Sequence, residues 1–180
     1  MESLILLFLI VVLLILWSMA THRKLAAMDE NVCNAMSQIG VQISSRFDVL
    51  LTLVNLTGDY DEQETRILLE KAKAGRMTVN GQSTPEEVRG QELLIAETLD
   101  RVSALAERYS ELKEEKEYGK CMDAVDSYEK MIRTSSLIYN DSVMKMNRAI
   151  RLFPTNLIAG VLGFHQKEYL ETLENIHINK

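Results

Sequence analysis

Proline and cysteine are scarce in this 180-residue chain, two of each, and there are only three histidines and one tryptophan. Each shortage excludes something. The prolines are Pro85 and Pro154, so residues 1–84 and 86–153 contain nothing that must break a helix. Apolar residues recur at helical rather than strand spacing. Cys33 and Cys121 stand far apart with no Cys or His at ligand spacing, which argues against a zinc site or a disulfide framework. In a reducing compartment they read as small buried hydrophobes. His22, His165 and His177 lie near the ends of the domain, with no Ser-His-Asp or Cys-His arrangement and no glycine loop placed after a strand. No catalytic residue, cofactor, metal or small-molecule substrate is therefore expected. Basic surplus is missing too: the net charge of −6 opposes general nucleic-acid binding.

What the chain does have is one long apolar run. Leu4 to Trp17 is wholly apolar, and Ser18, Met19 and Ala20 add no charge. Such a run is long enough to cross a bilayer as a helix. A secretory signal peptide is the alternative, since Ser18-Met19-Ala20 resembles a cleavage site. Against it, no Lys or Arg precedes the run, whereas Arg23 and Lys24 follow it. Positive charge favours the cytoplasmic side, so the N-terminus is expected outside and the larger domain in the cytoplasm. The division is an anchor at 1–21, a helical domain at 22–164 and a tail at 165–180.

The domain reads as all-α: an antiparallel four-helix bundle with long first and fourth helices. The first runs to about Thr57, with Leu25, Met28, Val32, Met36, Ile39, Ile43, Phe47, Leu50 and Val54 in gaps of three, four and four. That period, about 3.67 residues per turn, keeps the stripe nearly straight. Gly58-Asp59 ends it. Asp61 with Glu64 resembles a capping box opening a short second helix, to about Lys73. Gly75 to Thr84 reads as an exposed connection. Thr84-Pro85-Glu86-Glu87 then combines a hydroxyl cap, a proline at the first helical position and acids in the first turn. The third helix is expected from Pro85 to about Leu112, with Val88, Ile95, Leu99, Val102, Ala106 and Tyr109 on one face. The charge run Glu111 to Glu117 reads as a solvated helix end. A fourth helix follows to Phe153, with Val125, Ile132, Tyr139, Met146 and Phe153 seven apart.

Pro154 stops that helix, and the uncharged segment Leu157 to Phe164 follows. Two readings stay open: it folds back to close one end of the bundle, or it dips into the membrane interface. Counting helix directions brings it back to the bilayer. Lys145, Arg148 and Arg151, with Leu157, Ile158, Leu162 and Phe164, are the candidate second membrane contact. The residues from His165 are expected to fray.

Tyr139-Asn140-Asp141-Ser142-Val143, Asn147, Ile150, Phe153-Pro154, Asn156, Ile158-Ala159, Gly163-Phe164 and Tyr169 resemble the C-terminal signature of the LemA family. Asn31-Val32, Ala35, Gln38-Ile39, Val41, Arg46-Phe47-Asp48, Leu53-Val54 and Gly58-Asp59-Tyr60 resemble its first-helix pattern. Met36 stands where the family commonly has Trp, and Thr52 where it commonly has Pro, which implies a straighter first helix here. The resemblance implies a membrane-anchored helical bundle and no agreed activity. Among the signature residues Tyr139, Asn140, Asn147, Phe153, Pro154, Asn156, Gly163 and Phe164 read as structural: Tyr139 faces the core, Phe153-Pro154 and Gly163 end and turn the chain, and Asn140 and Asn147 share a helix face where their amides bond a neighbouring helix or a loop carbonyl. Arg46 and Asp48 read as ion pairs with partner helices. Two functional classes follow: a membrane-tethered module that binds a cytoplasmic protein, and a homo-oligomeric membrane scaffold. An extracytoplasmic sensor would need the opposite topology. Expected partners are the membrane and either a second copy or a cytoplasmic protein.

Overall fold

A computed structural model describes residues 1–171. It is all-helical, with no strand among the described residues and a long apolar helix at the N-terminus. Helix α1, Glu2–Leu56, is unbroken for 55 residues, about 80 Å at 1.5 Å per residue. Its N-terminal part is long and apolar enough to cross a membrane and is almost entirely exposed. Burial begins at Thr21 and Leu25, and eight of the nine stripe residues are buried, Met28 partly so. The helix continues unbroken through Thr52, whose hydroxyl donates to the Asp48 carbonyl at 3.1 Å.

A 3₁₀ turn at Thr57–Asp59 leads to α2, Glu62–Gly75. Asp61 caps α2 by accepting the Glu64 N–H at 3.0 Å. Helix α3, Pro85–Arg108, opens on a full capping box: Thr84 Oγ1 accepts from Glu87 N–H, and Glu87 Oε2 accepts from Thr84 N–H. It stops four residues earlier than expected. Tyr109 leaves helical geometry (φ −118°, ψ 87°), and a five-residue helix α4, Ser110–Glu114, intervenes before α5, Lys116–Arg151. At this end Tyr60 donates to Glu115 at 2.6 Å, and that bond pushes its ionisation up to about 12.

Helices α1 and α5 are the main packing partners, and as numbers rise on one they fall on the other. Met28 shares a groove with Lys145, Gln42 with Met131, and Arg46 bonds Glu129. The core between them and α3 is Ile39, Ile43, Phe47, Leu50, Ile95, Val102, Ile132, Tyr139 and Val143. By the same register Cys33 and Cys121 lie about 30 Å apart, counting along both helices through the Arg46–Glu129 pair. Both are free.

The connection from Gly75 to Thr84 is the loop expected, with Met77, Thr78, Asn80, Gln82 and Thr84 exposed, but it is also strapped to α1 and α3. Arg76 pairs with Asp48 at 2.8 Å and lies over the Phe47 ring, Val79 is buried, and Gly81 sits against Cys33 and Ser37. Gln91 on α3 holds it at the top, accepting from Met77 N–H and donating to the Gly75 carbonyl. A Cβ at Gly40 would lie 2.1 Å from the Val79 carbonyl oxygen, so only glycine lets α1 and this strand of chain approach so closely.

Candidate membrane-facing site

Helix α5 ends at Arg151, level with the edge of the apolar run on α1. Phe153, expected as the last core residue of the seven-residue series, instead falls beyond the helix and is 78% exposed. Pro154 and the 3₁₀ turn Thr155–Leu157 redirect the chain, with Asn156 exposed and its N–H bonded to the Leu152 carbonyl. The following turn closes on Gly163 at φ +84°: Phe164 N–H bonds the Ala159 carbonyl and Gly163 N–H the Gly160 carbonyl. This is a Schellman arrangement, and its left-handed position is the one that favours glycine.

That turn sorts the segment into two faces. Ala159 is buried, Ile158 and Leu162 are half-buried, and Phe164 meets the His22 ring edge-on at 5.5 Å. Leu152, Phe153, Leu157 and Val161 point outward, the last 87% exposed. The fold-back reading holds for Ile158, Leu162 and Phe164, which turn toward the protein, whereas Leu157 stays exposed. Phe153 and Val161 lie in the 153–164 segment that the sequence singles out, and Leu152, just before it, is exposed beside them. Arg148 and Arg151 are exposed with no partner among the described residues, and Arg23 and Lys24 are exposed on α1. Lys145 is paired with Asp141 at 2.6 Å, one turn away on α5.

The signature asparagines do something the sequence placed only in outline. Asn147 accepts from Lys167 N–H and donates to the Lys167 carbonyl, and Asn140 treats Leu170 in the same way, all at 2.8 Å. Tyr139 donates to the Glu168 carbonyl. Leu170 is buried, and Lys167 reaches Asp29 on α1 at 2.8 Å. The fraying expected from His165 is thus corrected over residues 167–170. Composition suggested loose chain, but the side chains of Asn140, Asn147 and Tyr139 hold it through its main-chain groups. Residues 172–180, including His177, lie outside the described residues.

A second polar cluster lies deeper. Arg46, 4% exposed, bonds Glu92 on α3 at 2.9 Å and Glu129 on α5 at 2.8 Å. Burial pushes the Glu92 carboxyl above its ordinary range, against the pull of Arg46. Glu92 borders a shallow cavity of about 50 Å³ with Ile132, Ser136 and Leu170, room for one or a few waters. Among the described residues no group of three or more His, Cys, Asp or Glu is placed to hold a metal ion.

The LemA family pattern matches residues 35–179, most of the chain and all of the clamped segment. The chain belongs to the LemA family. Asn31-Val32 and the apolar run precede the matched span, so the family assignment of this LemA chain rests on α1 from Ala35 onward and everything after it. No curated protein matches the sequence.

Proposed function

We propose that this chain is a non-enzymatic, single-pass membrane module. On this reading its domain, an antiparallel four-helix bundle of α1, α2, α3 and α5, is held against the cytoplasmic face of the bilayer at two places. The first is the apolar part of α1. The second is the outward face of the turn after α5, where Leu152, Phe153, Leu157 and Val161 stand exposed beside Arg148 and Arg151. The supporting observation is that these four apolar side chains cluster at the end of the domain where the apolar run begins. A cluster of that kind rimmed by cations suits a membrane surface. Basic side chains near an anionic leaflet add about 1 kcal/mol each, screened by salt. The bundle reading draws support from the falling numbers of α5 beside α1 and from the Arg46 link among three helices.

A homo-oligomeric scaffold is the second reading. It is favoured by Val41, Met131, Leu137 and Ile138, exposed on α1 and α5 away from the membrane end. The size of the detergent-solubilised protein, with and without residues 1–21, separates a lone module from an assembly.

The test of the second contact uses the full chain in anionic vesicles, with both native cysteines replaced and one fluorophore placed through Val161→Cys or Gly119→Cys. Gly119 is exposed, far from this end, and has open space around its Cα. Spin-labelled lipid is expected to quench the Val161 probe several-fold more than the Gly119 probe. Equal quenching at the two positions would remove the second contact. In intact cells an impermeant thiol reagent is expected to miss Gly119→Cys; labelling there would reverse the topology.

A further inference from the structure

Residues 166–171 run along α5, and Tyr139, Asn140 and Asn147 hold them by hydrogen bonds to their main chain. Asn140 and Asn147 are seven residues apart on a helix, about 10.5 Å at its rise of 1.5 Å. The main-chain groups they bracket, at Leu170 and Lys167, are three residues apart on an extended chain, about 10 Å at 3.3 Å per residue. The two rises match. Each carboxamide imitates the paired C=O and N–H of a neighbouring strand, so α5 offers a rigid template for one extended segment. Recognition of this kind takes affinity from the main chain and specificity from a few side-chain positions. Here there are two such positions: Lys167, which meets Asp29, and Leu170, which is buried.

None of these bonds depends on which molecule supplies the segment. The sequence that satisfies both side-chain positions is carried by every other copy of this chain. The connection that would have to swing out, 152–165, makes its main-chain hydrogen bonds largely with itself, from Leu152 to Phe164, and exchange must release the packing of Ala159 and the Phe164–His22 contact. Its fourteen residues can reach about 45 Å when extended. We infer that the Asn140–Asn147 clamp is a peptide-binding site whose ligand is residues 166–171, exchanged between neighbouring copies in the membrane. The inference rests on the anchored reading in one respect, that copies sharing a bilayer stand parallel and close. The chain's own tether supplies a local concentration on the order of millimolar, so exchange rises only as copies crowd.

The test co-reconstitutes two differently tagged full-length chains in vesicles, both lacking native cysteines, one with Asp29→Cys and the other with Lys167→Cys. Flotation comes first, so a failure of anchoring is seen as protein left at the bottom of the gradient. A bis-maleimide of about 8 Å reach is expected to give the mixed pair, rising with protein density. It should fall at least fivefold when the Asp29→Cys copy also carries Asn140→Ala and Asn147→Ala. A synthetic peptide of residues 164–171 should compete with the pair, and the same peptide N-methylated at Leu170 should not. Absence of the mixed pair in floated vesicles, while one chain carrying both cysteines cross-links internally, would overturn the exchange. Equal competition by the methylated peptide would overturn the main-chain clamp.

Discussion

Glu92 carries the clearest residue-scale consequence. It is a carboxyl held in the interior by Arg46, and burial outweighs that attraction, so its folded-state ionisation lies above the unfolded one. A carboxyl shifted upward takes up protons on folding. Its contribution is therefore fully present below the unfolded value and is lost as pH rises through the folded one. Glu92→Gln keeps the shape and removes the titration. The stability of the natural protein relative to this variant is expected to fall from about pH 4.5, the unfolded value, upward. Denaturant unfolding of both across pH 4 to 8 checks it, and a relative stability that grows with pH would contradict the assignment. Sequence offered a faint signal here. Between Val88 and Ile95 the inward positions of α3 fall on Gln91 and Glu92, and two buried polar residues in an apolar stripe announce partners elsewhere. Arg46 was recognised as an interhelical pair, but which acids it would meet depends on register between α1, α3 and α5.

At the scale of elements, the glycines divide by what surrounds them. Gly40 faces the Val79 carbonyl, whereas Gly90 on α3 has open space. Gly40→Ala is expected to cost about 1–3 kcal/mol or more, because backbone must move. Gly90→Ala, in an exposed helix, should gain about 0.5–1 kcal/mol. Thermal or denaturant unfolding of the two single variants measures this, and equal effects would show that the Gly40 approach does not matter. Caps and starts were the legible part of these elements: Asp61 and Thr84-Pro85-Glu87 act by local chemistry within four residues. The strapped connection after α2 and the clamped segment after α5 were not legible. Both are held through their main-chain groups or by the missing Cβ of a glycine, so although Asn140 and Asn147 pointed to bonded amides, nothing in the pattern of the held segments named them as the partners. The stop at Tyr109 also gave no warning, since α4 continues the same charged, helix-favouring composition.

Over the whole molecule, the decisive feature is that α1 passes from apolar run to domain core without a break. The exposed stretch and the buried stretch share one hydrogen-bonded rod, with no proline, no 3₁₀ turn and no change of helix type between residues 2 and 56. This much the sequence carried, because helical period and absent proline are both written in it. A pair of glycines inserted after Thr21 should uncouple the halves. With a fluorophore at Gly119→Cys and an acceptor in the lipid headgroups, the distance distribution is expected to be narrow in the natural chain and broad in the insertion variant. A distribution equally broad in both would mean that the rod already bends.

Helix α1 can also be viewed as a lever with its short arm in lipid. On the anchored reading residues 2–20 lie on one side of the bilayer edge, and 21–56 reach about 54 Å on the other. Apolar helices tilt by about 20° to fit their length to the thickness of the surrounding bilayer. Through an unbroken rod, that tilt moves the far end, where α2 begins and Tyr60 meets Glu115, sideways by roughly 18 Å. If the proposed second contact forms, Leu152, Phe153, Leu157 and Val161 stand on one side of the pivot only, so they would brace the rod against leaning one way and leave the other free. A change in bilayer thickness of a few ångströms would thus arrive at the distal end magnified and with a fixed direction.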